Sequence, residues 1–112
     1  MYEYKAKVVR VVDGDTYDVM VDLGFNIKMK IRIRLNGIDT PEIFRPSCDA
    51  ELEHGREAKL FVEQLILHEV VTIKTHKMSL NRYVADVKTV SAPYDLVLHL
   101  KNNNLEKKDS YE

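Results

Sequence analysis

Apolar and polar residues alternate in step from Met29 to Leu35: Met29, Ile31, Ile33 and Leu35 share one face of an extended segment, and Lys30, Arg32 and Arg34 the other. The pattern predicts a strand with one buried face and one cationic face. Two strands are predicted before it. Lys5 to Val12 carries Ala6, Val8, Val9, Val11 and Val12, and Tyr17 to Leu23 alternates Tyr17, Val19 and Val21 against Asp18, Met20 and Asp22. Between these two, Asp13-Gly14-Asp15-Thr16 gives a hairpin signal, and Gly24 to Asn26 reads as the next turn. After the cationic strand, Asn36 and Gly37 both tolerate positive φ and mark a turn or bulge. Pro41 fixes its own φ and biases Thr40 toward extended geometry, so Asp39-Thr40-Pro41-Glu42 forms a stiff corner.

Beyond that corner the period changes. Glu42 to Gly55 contains Pro46 and Gly55 with no sustained repeat and predicts a surface loop. Ala58, Phe61, Val62, Leu65 and Ile66 stand at spacings of three and four, which predicts a helix over Arg56 to His68 with Glu57 in its first turn. Val70 to Thr75 is rich in β-branched residues and reads as a strand, His76 to Asn81 as a turn, and Arg82 to Val90 as a further strand. Pro93 is placed to open a second helix whose buried stripe is Leu96, Val97, Leu100 and Leu105, weakened at its end by Asn102 to Asn104. Three strands, a helix, two strands and a helix make a mainly β fold with two packed helices, the connectivity of a five-stranded OB-type barrel. Residues 1–106 are expected to form it, with residues 107–112 as a frayed tail.

At 112 residues and 45% apolar content the chain is one small domain with enough material for a core. Cys48 stands alone, which excludes an intrachain disulfide, and His54, His68, His76 and His99 are too scattered to suggest a transition-metal cluster. No stretch approaches the roughly 18 consecutive apolar residues of a membrane span. The opening MYEYKAK carries charge where a secretory segment needs an apolar core, so a cytoplasmic location is expected unless a leader has been removed. Seventeen basic against 18 acidic side chains, formally −1, argue against coating nucleic acid through bulk charge but leave room for a local cationic groove. Tyr2, Tyr4, Tyr17 and Tyr83 lie in or near strands and are read as sheet or core packing.

The candidate chemistry gathers around the corner. Asp15 and Asp39 offer hard oxygen donors suited to calcium or magnesium, with the Thr40 carbonyl and waters completing a shell. Asp15 begins one strand and Asp39 follows the next, so their convergence is expected to require the middle segment to curl through bulges and barrel tilt, Gly37 supplying part of the bend. Arg34 and Arg82 carry planar, permanently charged forks that match phosphate, and Glu42 could take a proton from water or hold it for in-line attack. Each residue also has a plainer reading. Asp13 and Asp15 suit turns, Asp39 an Asx turn, the arginines a solvated surface, and Glu42 a cap after Pro41.

Four stretches resemble the staphylococcal nuclease (thermonuclease) family: VVDGDTYDV at Val11 to Val19, IRLNGIDTPE at Ile33 to Glu42, GREAKLFVEQLI at Gly55 to Ile66, and NRYVADV at Asn81 to Val87. They occur in the family's order and cover most of Lys5 to Leu105. The resemblance implies a five-stranded OB-type barrel that hydrolyses DNA and RNA using calcium, cleaves on the 5′-oxygen side and leaves 3′-phosphate ends. It also implies calcium ligation by Asp15, Asp39 and the Thr40 carbonyl, Arg34 and Arg82 on phosphate, and Glu42 as general base or water-positioning group. Single-stranded or frayed DNA and RNA would be the substrates, with little sequence preference. Two features depart from the family. Ser79, Leu80 and Asn81 stand where it usually has a lysine, an aromatic and a glycine, which implies weaker nucleotide affinity and keeps open a noncatalytic module that binds nucleic acid or protein. The end of the sequence is also shorter than in familiar members, for which self-association or another chain could compensate by covering the exposed side.

Overall fold

The first three strands pair as an antiparallel meander. Strand β1 (Glu3–Asp13) meets β2 (Thr16–Asp22), and β2 meets β3 (Lys28–Leu35). Helix α1 (Asp49–Ile66) follows, then β4 (Val70–Ser79), β5 (Arg82–Thr89) and α2 (Leu96–Asn102). A computed structural model describes residues 3–79, with the backbone alone at 77–79, together with residues 82–89 and 95–111. Leu80, Asn81 and Pro93 lie outside the described residues, as does Tyr2. The strands form a closed barrel in the order β1-β2-β3-β5-β4, as the mainly β, OB-type reading expects. Closure comes from antiparallel pairing of β1 with β4 and a short parallel contact of β3 with β5, Ile33 opposite Tyr83 through Leu35 opposite Ala85.

The barrel interior is filled by Val8, Tyr17, Val19, Ile33, Leu35, Ile73, Ala85 and Val87, all fully buried. Side chains from successive strands fill a small barrel of this kind without leaving a channel. Helix α1 adds Ala58, Val62 and Ile66, and α2 adds Leu96 and Leu100, with Leu105 buried behind them. Two adjacent valines in β1, Val8 and Val9, precede a register shift between Val8 and Arg10. That bulge changes the parity of the strand, so Arg10 turns outward and Val11 inward.

Several boundaries differ from the sequence pattern. Met29 was expected in the core but is 51% exposed, because β3 meets β5 only at its last three residues. The outer half of the β2–β3 hairpin projects past the barrel, and Leu23, Phe25 and Ile27 are exposed with it. His76 does not begin a turn; it sits at a register shift between Thr75 and Lys77, and β4 continues to Ser79. Helix α1 begins at Asp49, so half of the expected loop is helical and Asp49 and Glu51, not Glu57, occupy its first turn. In α2 the cap is Asp95, whose carboxylate accepts a hydrogen bond from the Val97 N–H at 3.1 Å.

Residues 107–111 make hydrogen bonds with one another, with the turn after β3 and with α1. The Lys107 N–H donates to the Asp39 carbonyl at 2.8 Å, and the Lys108 N–H donates to the Tyr111 hydroxyl at 3.1 Å. That hydroxyl shares a 2.6 Å hydrogen bond with Nδ1 of His54 on α1. Among the described residues no helix is long and apolar enough to cross a membrane.

Candidate active site

Strand register brings Asp15 to the end of β3 that leads to Asp39. In an antiparallel pair the start of one strand faces the end of the other, and here Thr16 stands opposite Arg34. The Leu35 N–H donates to the Asp15 carbonyl at 2.8 Å. The curl expected from the sequence is therefore unnecessary for their approach. The turn at the end of β3 is fixed separately: the Asn36 N–H bonds the Ala85 carbonyl at 2.9 Å, and its side chain donates to Asp86 at 3.1 Å.

Arg34 is the hub. Its Nη2 reaches Asp15 Oδ2 at 3.5 Å and contacts Asp39 Oδ1, while Nη1 donates to the Leu35 carbonyl at 3.0 Å. Two carboxylate oxygens thus face one cationic nitrogen. Asp15 is the buried partner, its side chain 12% exposed against 74% for Asp39. The Thr40 N–H donates to Asp15 Oδ2 at 3.1 Å, and the Thr16 hydroxyl donates to Oδ1 at 3.0 Å. Burial pushes the Asp15 carboxyl upward, but hydrogen bonds from Asp13 and from the Thr40 N–H, with the Arg34 charge, hold it below the usual range.

Asp13 has the opposite character. Burial, then its hydrogen bond to Asp15 and the Asp15 charge, raise its carboxyl to about 7. Two interacting carboxyls ionise in separate steps, and the Asp15 N–H donates to Asp13 Oδ1 at 3.1 Å. The sequence pattern assigns Asp13 only a turn role; its place two residues before Asp15 in Asp-Gly-Asp is the available signal. Gly14 between them has no left-handed φ. Glycine is needed there for space: a Cβ would lie 2.8 Å from Thr40 Oγ1 and 2.9 Å from the Ala58 Cβ. The turn that carries Asp15 is thereby pressed against both α1 and the Thr40 corner. Thr40 Oγ1 is buried without a hydrogen-bond partner among the described residues.

Glu42 is placed by a residue that the hydrophobic pattern hid. Glu51, 1% exposed, accepts the Ser47 N–H at 2.7 Å and the Glu42 N–H at 3.2 Å, and Lys107 Nζ stands 3.4 Å away. As the third residue of α1 it reaches back across the helix start much as a capping-box carboxylate does. Gly55, one turn on, lets the same corner approach, since a Cβ there would sit 2.8 Å from the Pro41 carbonyl oxygen. Glu51, Gly55, Ala58, Val62 and Ile66 form one buried stripe of α1, so a pattern that counted positions and not hydrophobicity would have found the full helix.

The Ser47 N–H, against the opposing effect of burial, and then the Glu42 N–H lower the Glu51 carboxyl from 4.5 to about 2. Its contribution to stability is complete above pH 4.5 and is lost as pH falls from there toward 2. Glu51→Gln is therefore expected to be less stable at neutral pH and to lose less stability on acidification, read as denaturant midpoints from pH 7 to 2. Parallel midpoint curves for the two proteins would remove Glu51 as the tether.

Asp15, Arg34, Glu42 and Arg82 line one cleft of about 630 Å³. Asp13, Arg10 and Arg32 line it too, and they were not among the expected site residues. Asp39 lies on the other side of Arg34, in an adjoining depression of about 640 Å³ shared with residues 106–109. Thr40 is buried beneath Asp15. Among the described residues no cluster of three or more histidine, cysteine, aspartate or glutamate side chains forms a metal site by itself. The lysine and aromatic that the family usually carries before Arg82 correspond to Ser79 and Leu80; the side chain of the first and all of the second lie outside the described residues.

The profile of the staphylococcal nuclease homologue family matches residues 32–108, a span that includes Arg34, Asp39, Thr40, Glu42 and Arg82. The thermonuclease of Staphylococcus hyicus is 32% identical over 81 residues, covering 72% of this chain and 44% of that protein. Protein ParB of Escherichia coli is 50% identical over 40 residues, 36% of this chain and 20% of that protein. The chain spans less than half the length of these curated relatives. With a closed five-stranded barrel and a family match over most of its length, this chain belongs to the staphylococcal nuclease homologues.

Proposed function

We propose that the protein is a calcium-dependent phosphodiesterase that hydrolyses DNA and RNA with little sequence preference. The observation that carries this reading is the common cleft of Arg34, Arg82, Glu42 and Asp15, with Asp39 joined to it through Arg34. Two arginine forks and a carboxylate in one open cleft suit a phosphodiester and not a neutral ligand. Phosphate contacts are the same for every nucleotide, which gives little sequence preference.

Asp15 Oδ2 and Asp39 Oδ1 already face one cationic atom, so the donor set fits a hard divalent cation held by Asp15, Asp39 and the Thr40 carbonyl. When bound, calcium would supply Lewis-acid polarisation of a phosphate oxygen. Arg34 and Arg82 grip the nonbridging oxygens and stabilise the charge that grows on them as water adds to phosphorus. Glu42 accepts the proton that the attacking water loses. The bond to the 5′-oxygen breaks, that oxygen takes a proton from solvent, and the products are a 3′-phosphate and a free 5′-hydroxyl. Asp13 and the Thr40 N–H hold Asp15 ionised, so its oxygen stays available as a donor.

The deciding experiment is hydrolysis of denatured DNA and of RNA with calcium, with magnesium and with chelator, and the ends of the products tested for 3′-phosphate. Calcium-dependent fragments with 3′-phosphates support the assignment. Retention of substrate without fragments would leave a noncatalytic nucleic-acid-binding module, the reading that the missing lysine and aromatic before Arg82 favour.

A further inference from the structure

The outward face of β3 carries Lys28, Lys30, Arg32 and Arg34 at every second residue, and the first three are exposed. Arg34 is both the last member of this row and a wall of the cleft. Neighbouring strands add to the row. Arg10 and Arg32 stand on either side of Asp18 in register, and Lys7 and Lys30 on either side of Met20. The face holds two carboxylates of its own. Arg32 Nε and Nη2 donate to the two Asp18 oxygens at 2.8 and 3.2 Å, and Asp22, opposite Lys28, accepts the Gly24 N–H at 2.8 Å. Arg32, with Lys30 and Arg10 adding their charge, holds the Asp18 carboxyl low. Among the described residues neither Lys28 nor Lys30 forms an ion pair. On a chain of formal charge −1, cation on this face is locally concentrated and in large part uncompensated.

We propose that this row is a track for a single-stranded nucleic acid, holding phosphates beyond the one in the cleft. The proposal rests on the nuclease reading above and extends it to substrate length. Alternate residues of a strand are about 6.7 Å apart, close to the phosphate step of an extended nucleotide chain, and the three steps from Arg34 to Lys28 span about 20 Å. The row runs along a single strand. An extended single strand can follow it, whereas the backbone of a duplex winds away after a short contact. The projecting hairpin gives the row its length, because beyond Ile33 β3 has left the barrel wall that β5 completes. Phosphate contacts from such a row of lysines and arginines are the same for any sequence.

The test uses the double variant Lys28→Ala/Lys30→Ala and, as a control of equal charge change, Lys59→Ala/Lys101→Ala on the two helices. Binding of a labelled single-stranded oligothymidylate long enough to span the row is measured by fluorescence anisotropy in chelator across a salt series. Each lost phosphate contact lowers the slope of log affinity against log salt by about 0.7 for a single strand, so the double variant should lose about 1.4 and the control nothing. In hydrolysis, the advantage of the long oligonucleotide over a dinucleotide should shrink in kcat/KM by the same factor as the affinity, and dinucleotide turnover should be that of the parent. An unchanged slope in the Lys28→Ala/Lys30→Ala protein overturns the track and leaves the row to some other acidic partner. An equal loss in the control also overturns it, because total charge would then be the cause. If the parent hydrolyses no dinucleotide and no oligonucleotide, the nuclease reading falls, and the chelator binding series still decides whether the row holds a strand.

Discussion

Arg34→Ala is expected to lower kcat on denatured DNA by roughly 10³-fold or more, the scale seen when a group that stabilises transition-state charge is removed. Arg34→Lys should recover little of it, because an ammonium keeps the charge but loses the fork that now spans Asp15, Asp39 and the Leu35 carbonyl. The guanidinium is also the counter-charge of a carboxylate that is nearly buried. Arg34→Ala should therefore lower thermal stability as well as turnover. Arg82→Ala and Glu42→Ala should lower turnover by roughly 10²-fold or more while circular dichroism and melting stay close to those of the parent. Steady-state kinetics with calcium, run beside melting curves, separate the two effects. Parental turnover in the Arg34→Ala protein would remove that residue from catalysis.

The second large effect is on the barrel itself. Tyr17 is fully buried in its centre, and its hydroxyl donates to the Gly14 carbonyl, so one side chain joins the core to the turn that carries Asp15. Burial raises the phenol well above its ordinary range and keeps that donor protonated. Tyr17→Ala should cost about 3–5 kcal/mol, the range for truncating a large buried aromatic. Against a total stability of about 5–15 kcal/mol this leaves a protein that is marginal or unfolded at room temperature. Tyr17→Phe keeps the packing and loses only the hydrogen bond, at about 1 kcal/mol. Urea unfolding followed by circular dichroism measures both. Equal stability of the alanine and phenylalanine proteins would mean that the ring does not fill the core.

Glu51 shows where a sequence pattern misleads. A glutamate and a glycine interrupt the apolar count between Cys48 and Ala58, so hydrophobicity alone starts the helix at Arg56. The helix nevertheless runs from Asp49, because the glutamate is buried against the N–H groups of Ser47 and Glu42 and the glycine lets the Pro41 carbonyl approach. Both residues serve the corner that carries Glu42. Gly14 misled in a similar way: it reads as a residue chosen for turn geometry and serves to let Thr40 and α1 close on the turn. The same limit hid the parity change in β1, where a run of valines gives no sign of which faces inward until a bulge decides it.

The sequence by itself determined the order of strands and helices, the cationic face of β3 and the set of charged residues around Asp39, because those follow from the period of the side chains and from a few turn residues. Tertiary structure decided the rest. It set Asp15 beside Asp39 through the β2–β3 register and put Arg34 between them. It shifted the carboxyls of Asp13 and Asp15, two identical side chains two residues apart, in opposite directions from their ordinary range. The physical reason is that charge and desolvation act through space: an N–H from Thr40 and a guanidinium from β3 reach Asp15 across about 20 residues of chain, and no local pattern records a neighbour that distant.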